Sequence, residues 1–154
     1  MLFLMFRLGA DRYVLDVEQV EEVLPFLEPT LLPGAPHGVV GAINYRGQGV
    51  PLIDLSLLAL GRPSAAVIST RVILIRYPVE GGDTRRLGLI AERVIETVAR
   101  DPNDFVPSGV DAGMPPYLGP VASDAEGLIQ LVRAEALLPP QLREILFRKL
   151  QADS

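Results

Sequence analysis

Apolar residues in this chain come in short runs broken by turn-forming residues. Residues 2–8 (LFLMFRL) and 12–17 (RYVLDV) flank Gly-Ala-Asp-Arg, with turn chemistry at Gly9 and Asp11, and predict a hairpin. Residues 41–55, GAINYRGQGVPLIDL, predict two apolar strands joined at a tip that carries Arg46, Gly47 and Gly49. STRVILIRYP, 69–78, predicts a buried strand, and RRLGLIAERVIETVARD predicts a strand that bends into more strand. PYLGPVASDAEGLIQLV predicts a closing hairpin with its turn at SDAEG. Two stretches are less decided. In DVEQVEEVL, 16–24, valines at 17, 20 and 23 have helical spacing, yet β-branched side chains favour strands. HGVVGAI predicts a short turn or helix before the Arg46 hairpin.

Between these runs, 25–36 and 102–120 are rich in proline and glycine and predict connections. Ser56 is a candidate cap for one helical turn, which Gly61 and Pro63 would end. Pro140 opens PQLREILFRKL, where Leu142, Ile145, Leu146 and Leu150 share a helical face. The expectation is an all-β chain of small barrels or a sandwich with a short C-terminal helix. It forms a single domain over 1–154, with an internal division near the Gly/Pro cluster at 61–66.

Composition narrows the chemistry. With Lys plus Arg at 14, Asp plus Glu at 19 and a net charge of −5, the chain has no basic run, which argues against nucleic acid as a partner. There is no cysteine, so disulfide and thiolate chemistry are excluded. LFLMF lacks a preceding basic region and is too short to span a bilayer, so a cytoplasmic chain without direct membrane insertion is expected.

Catalytic groups are scarce. His37 is the one histidine, and no Gly-x-Ser-x-Gly elbow accompanies it. No P-loop follows the glycines at 41–49, and the acidic turns at 101–104 and 123–127 lack an EF-hand pattern. No cofactor or metal is expected. Protein binding is therefore the leading class, with a hydrolase that uses His37 as the alternative. An arginine at a hairpin tip suits either a solvated turn or an anchor on a partner's carboxylates and carbonyls.

Several blocks, in order, resemble the CheW family of bacterial chemosensory adaptors over about residues 2–139. They are FLMFRLGADRYVLDVEQVEEVL, then GAINYRGQGVPLIDLSLLALG with its Asn-x-Arg-Gly signature, then RVILI, LGLIAERVIETV and YLGPVASDAEGLIQLVRAEALL. The resemblance implies two small five-stranded, SH3-like barrels around a shared apolar core. It implies no catalysis. Its implied partners are the cytoplasmic tip of a methyl-accepting chemoreceptor and the regulatory domain of a histidine kinase similar to CheA, at membrane-associated receptor arrays.

The site residues it implies are Asn44, Arg46 and Gly47 of the signature, and Glu22, an acidic position near that arginine. Val20 and Val23 would line an apolar receptor groove, and Gly41 and Gly88 match points of close backbone approach. Tyr45 departs from the leucine common at its position.

Overall fold

The computed structural model describes residues 1–79, 82–107, 114–140, 143, 146 and 147, and all of these except Ile95 with their side chains. The strands are β1 (Leu2–Leu8), β2 (Asp11–Asp16), β3 (Val20–Pro25), β4 (Val39–Tyr45), β5 (Gln48–Asp54), β6 (Arg71–Pro78), β7 (Thr84–Ala99), β8 (Leu118–Asp124) and β9 (Gly127–Val132). One helix, α1 (Leu55–Leu60), follows β5. The chain is mostly β, as its alternation and punctuation predict.

The strands form two five-segment sheets that share β7. In one, the first half of β7 lies between β6 and β5, with β3 beyond β6 and β4 beyond β5. In the other, the second half of β7 pairs with β1, followed by β2, β9 and β8. The change of sheet comes at an irregularity opposite Met5–Arg7, where Arg93 has a φ of 51°. Each sheet is drawn towards closure by an isolated bridge between its far edge and the chain leaving the near one. Thr30 pairs with Ala42 in β4, and Val106 pairs with Val121 in β8. These bridges cover edges that would otherwise present free backbone groups.

The sheets exchange chain at the 3-10 turn Val17–Gln19 and midway along β7. The 61–66 segment, expected as the internal division, instead joins α1 to β6, inside the stretch that builds a single sheet.

Strand alternation explains why β1 and β6 read as continuous apolar runs. On β6, Val72 and Leu74 point into a cluster with Ile43, Tyr45, Val50, Leu52 and Ile90. Ile73, Ile75 and Tyr77 point the other way, into a larger cluster with Leu4, Phe6, Leu15 and Leu89. On β1, Phe3 and Met5 fill a third cluster with Val14 and Ile129, while Leu4, Phe6 and Leu8 join the larger one. Each sheet thus has its own interior, and both pack on a shared core between them. A strand buried on both faces cannot show polar alternation.

The undecided stretch at 16–24 is both things at once. Asp16 caps the 3-10 turn Val17–Gln19 by accepting from Glu18 N at 2.9 Å. β3 then begins with an irregularity between Val20 and Glu22, with Val20 opposite Ile75 and Val23 opposite Ile73. The extra residue of a β-bulge lets valines three apart share one face, so the spacing comes from a bulge rather than a helix. HGVVGAI likewise turns out to be strand from Val39 onward.

The helix α1 is capped by Asp54 rather than by Ser56. Its carboxylate accepts from Ser56 N at 3.0 Å, Leu57 N at 3.3 Å and Ser64 N at 2.9 Å. Ser56 is fully buried one position inside the helix, and Gly61 ends it in the left-handed conformation with a φ of 76°. At the C-terminus, Pro140, Arg143, Leu146 and Phe147 are helical, and Leu146 and Phe147 are buried in the shared core. Leu142, Ile145 and Leu150, also expected on that helix, lie outside the described residues.

A charged cluster closes the other sheet. The buried Arg12 on β2 makes a bidentate contact with Asp124 on β8, at 2.6 and 2.9 Å, and donates to Gly127 O at 3.0 Å. Arg12, the backbone N–H of Glu126 and Arg100 all donate to the Asp124 carboxyl and hold it well below the usual carboxylate range. A depressed folded-state pKa stabilises the fold above the unfolded value of about 4, and that contribution fades as pH falls below it. Asp124→Asn is expected to melt lower than wild type at pH 7. The gap should narrow steadily below about pH 4, as the wild type loses the linkage term. Thermal melts of both proteins across pH 3–8 check this, and a gap independent of pH contradicts it.

Candidate functional site

The β4–β5 turn is a two-residue loop. Tyr45 pairs with Gln48, and between them Arg46 and Gly47 have φ of 51° and 81°. Two positive φ values are what a type I′ hairpin needs to match the strand twist, and glycine is favoured at the second. Asn44 supports the turn by accepting from Gly47 N at 2.9 Å. Asn-x-Arg-Gly is thus a turn-forming sequence that sets one arginine at the tip.

A Cβ on Gly47 would meet nothing within 4 Å, so substitution there strains the backbone without a clash. Gly47→Val is expected to cost about 1–2 kcal/mol in the left-handed conformation. An unchanged urea midpoint would contradict it.

Arg46 is exposed, and the tyrosine beneath it is buried. The guanidinium carbon of Arg46 lies 5.0 Å from the centre of the Tyr45 ring, and that of Arg86 lies 5.1 Å from it. The Tyr45 hydroxyl donates to Glu22 on β3. This bond, followed by burial, pushes the phenol pKa up. Arg86 also donates to Glu21 at 2.7 Å and to Gln48 at 2.9 Å. Glu22 thus meets Tyr45 at its hydroxyl and Arg46 meets it at its ring, and among the described residues Arg46 makes no ion pair.

The other implied residues divide by burial. Val20 packs against the shared core, and Val23, on the same face of β3, is 40% exposed. Gly41 and Gly88 are buried. A Cβ on Gly41 would lie 2.2 Å from the Thr30 carbonyl oxygen, and one on Gly88 would lie 2.2 Å from Leu52 Cδ2. Both are close-packed positions in the sheet that carries the Arg46 turn.

Residues missed in the sequence are Arg86, Gln48 and Glu21, and Tyr45 was noticed only as a departure. The local signal for Arg86 was slight: an Arg-Arg pair at the start of an alternating strand.

His37 is exposed on the rim of a largely apolar cavity of about 700 Å³, lined also by Leu58, Tyr117, Leu137, Leu138 and Arg143. Ser64 Oγ donates directly to Asp54 at 2.7 Å. A nucleophilic triad would put the histidine between them. Asp54 is already occupied as a helix cap, and no group of three or more metal-ligating side chains gathers among the described residues.

Residues 2–141 match the family model described as the CheW-like domain. The chain is 27% identical over 139 residues to the chemotaxis protein CheW of Bacillus subtilis, covering 88% of this chain and 85% of that one. It is 26% identical over 138 residues to CheW of Klebsiella aerogenes, with coverage of 88% and 80%. Its fold is similar to the crystal structure of the scaffolding protein TtCheW from Thermoanaerobacter tengcongensis. The TM-score is 0.69 at 25% identity, covering 85% of this chain and 82% of that one.

Proposed function

Because the chain belongs to the CheW-like domain family, we propose that it is a non-catalytic adaptor of bacterial chemosensory signalling. It couples the cytoplasmic tip of a methyl-accepting chemoreceptor to the regulatory domain of a CheA-like histidine kinase. The observation that carries this reading is the tip itself. An exposed arginine without an ion pair among the described residues stands on a two-residue turn, over a buried aromatic ring. That is a prepared contact for a protein surface, since a planar guanidinium makes directional bonds and little freedom remains to be lost on binding.

Val20 and Val23 add an apolar strip on β3, and Asn44, Gly47 and Glu22 hold the tip in shape. The adaptor works in the cytoplasm at receptor arrays and reaches the membrane through its partners. Among the described residues, no helix is long and apolar enough to cross a membrane.

Arg46→Ala tests the reading. Affinity for a purified chemoreceptor hairpin fragment or for the kinase regulatory domain is expected to fall by about 1–3 kcal/mol, the range of an interface anchor. The melting temperature should barely move, because Arg46 is exposed. Wild-type affinity for both partners would remove the reading.

A further inference from the structure

We propose that Tyr45 is a positioning residue that holds Arg46 and Arg86 together as one cationic edge, and that the partner surface taken at this hairpin is acidic. The proposal rests on the adaptor reading above and says how its tip works.

The two guanidinium carbons share one ring, at 5.0 and 5.1 Å from its centre, and so lie within about 10 Å of each other. The ring is buried and its hydroxyl is held by Glu22, so it is a fixed platform. Arg86 is held further by Glu21 and Gln48. Arg46 has the platform and the left-handed turn. Two like charges repel, and neither would keep this spacing on a flexible surface. The negative face of an aromatic ring attracts both cations and offsets that repulsion.

The protein carries a net charge of −5, and at this edge Glu21 already pairs with Arg86 while Glu22 holds the phenol, so Arg46 is the cation left without an ion pair among the described residues. This leaves the Arg46 fork available to an incoming group. Carboxylates match that fork in both charge and geometry. A leucine at position 45 would fill the space but offer neither cation a seat.

The test uses the full chain and the same chemoreceptor hairpin fragment. In wild type, side-chain protons of Arg46 and Arg86 are expected upfield in the NMR spectrum through the ring current of Tyr45. Tyr45→Phe keeps the ring and should keep those shifts, with binding within about threefold of wild type. Tyr45→Leu should lose the shifts and bind about tenfold more weakly, a loss of about 1.4 kcal/mol. Wild-type binding should weaken from low to high NaCl, and the Leu variant should show a shallower salt dependence.

Normal binding by Tyr45→Leu, alongside weakened binding by Arg46→Ala, overturns the positioning role and leaves the adaptor reading standing. Normal binding by both overturns both. Salt-independent wild-type binding overturns the acidic partner. Should Tyr45→Leu fail to fold, Arg86→Ala carries the test. It should melt near wild type and bind about threefold more weakly, and wild-type affinity there overturns the shared edge.

Discussion

Tyr77→Ala is expected to lower the unfolding free energy by about 3–5 kcal/mol, the range for removing a large buried aromatic. Tyr77 is fully buried on β6 and faces the shared core. Its ring centre is 6.0 Å from that of Phe147, and the Arg143 guanidinium carbon lies 5.2 Å from it. Its hydroxyl lies 3.1 Å from Glu135 O and 3.3 Å from Leu138 O, and accepts from Leu138 N at 3.2 Å. One side chain thus ties the chain after β9 to a strand of the other sheet. Tyr77→Phe keeps the ring and leaves those backbone groups without a partner, a loss of about 1–3 kcal/mol. Urea denaturation of the two variants checks both. Equal losses would mean that the hydroxyl carries the whole effect and that the ring leaves no cavity.

Gly41→Ala is the second large effect. The added methyl would sit 2.2 Å from the Thr30 carbonyl oxygen, 2.9 Å from the Thr30 carbonyl carbon and 3.1 Å from Pro29 Cβ. Thr30 cannot simply step aside. It exchanges two backbone hydrogen bonds with Ala42, each 2.8 Å long, and these make the bridge onto β4. Either the bonds break or β4 shifts beneath the Arg46 turn. A loss of about 3 kcal/mol is expected, at the upper end for overpacking because the obstacle is backbone. Gly88→Ala is a useful comparison, since its 2.2 Å contact is the tip of the Leu52 side chain, which can change rotamer. Chemical denaturation should rank Gly41→Ala as the more damaging. The reverse order would mean that the Thr30 segment yields more easily than the buried leucine.

Much of the fold was legible because it is written locally. The β4–β5 tip follows from Arg46-Gly47 between apolar runs, and the β8–β9 hairpin from its Asp-Ala-Glu-Gly turn. The bend within β7 showed as a change from alternation at Leu87, Leu89 and Ala91 to the four-residue step from Val94 to Val98. Other features stayed open or were misread for a physical reason. The spacing of Val17, Val20 and Val23 looks helical unless a bulge is known to lie at Val20–Glu22, and nothing within the segment announces a bulge. Ser56 and Asp54 both have cap chemistry. Asp54 wins because it stands before the first helical residue, where its oxygens reach the free N–H groups.

The candidate site divides in the same way. Asn44, Arg46 and Gly47 could be read together because a two-residue turn is a local object. Glu22 could be placed near them only through the family resemblance, and Arg86 not at all.

The residue order alone fixes the kind of chain this is: short strands, tight turns and an arginine at a tip. Propensity and turn geometry act over a few residues that are neighbours along the chain. Long-range pairing, by contrast, makes β7 serve both sheets, lets β1 and β6 feed different cores from their two faces, and buries Gly41 and Gly88. It also sets Tyr45 between Glu22 and two arginines, one of which, Arg86, comes from β7. Those outcomes depend on which distant strands pair and in what register, and a single strand's pattern is compatible with many partners.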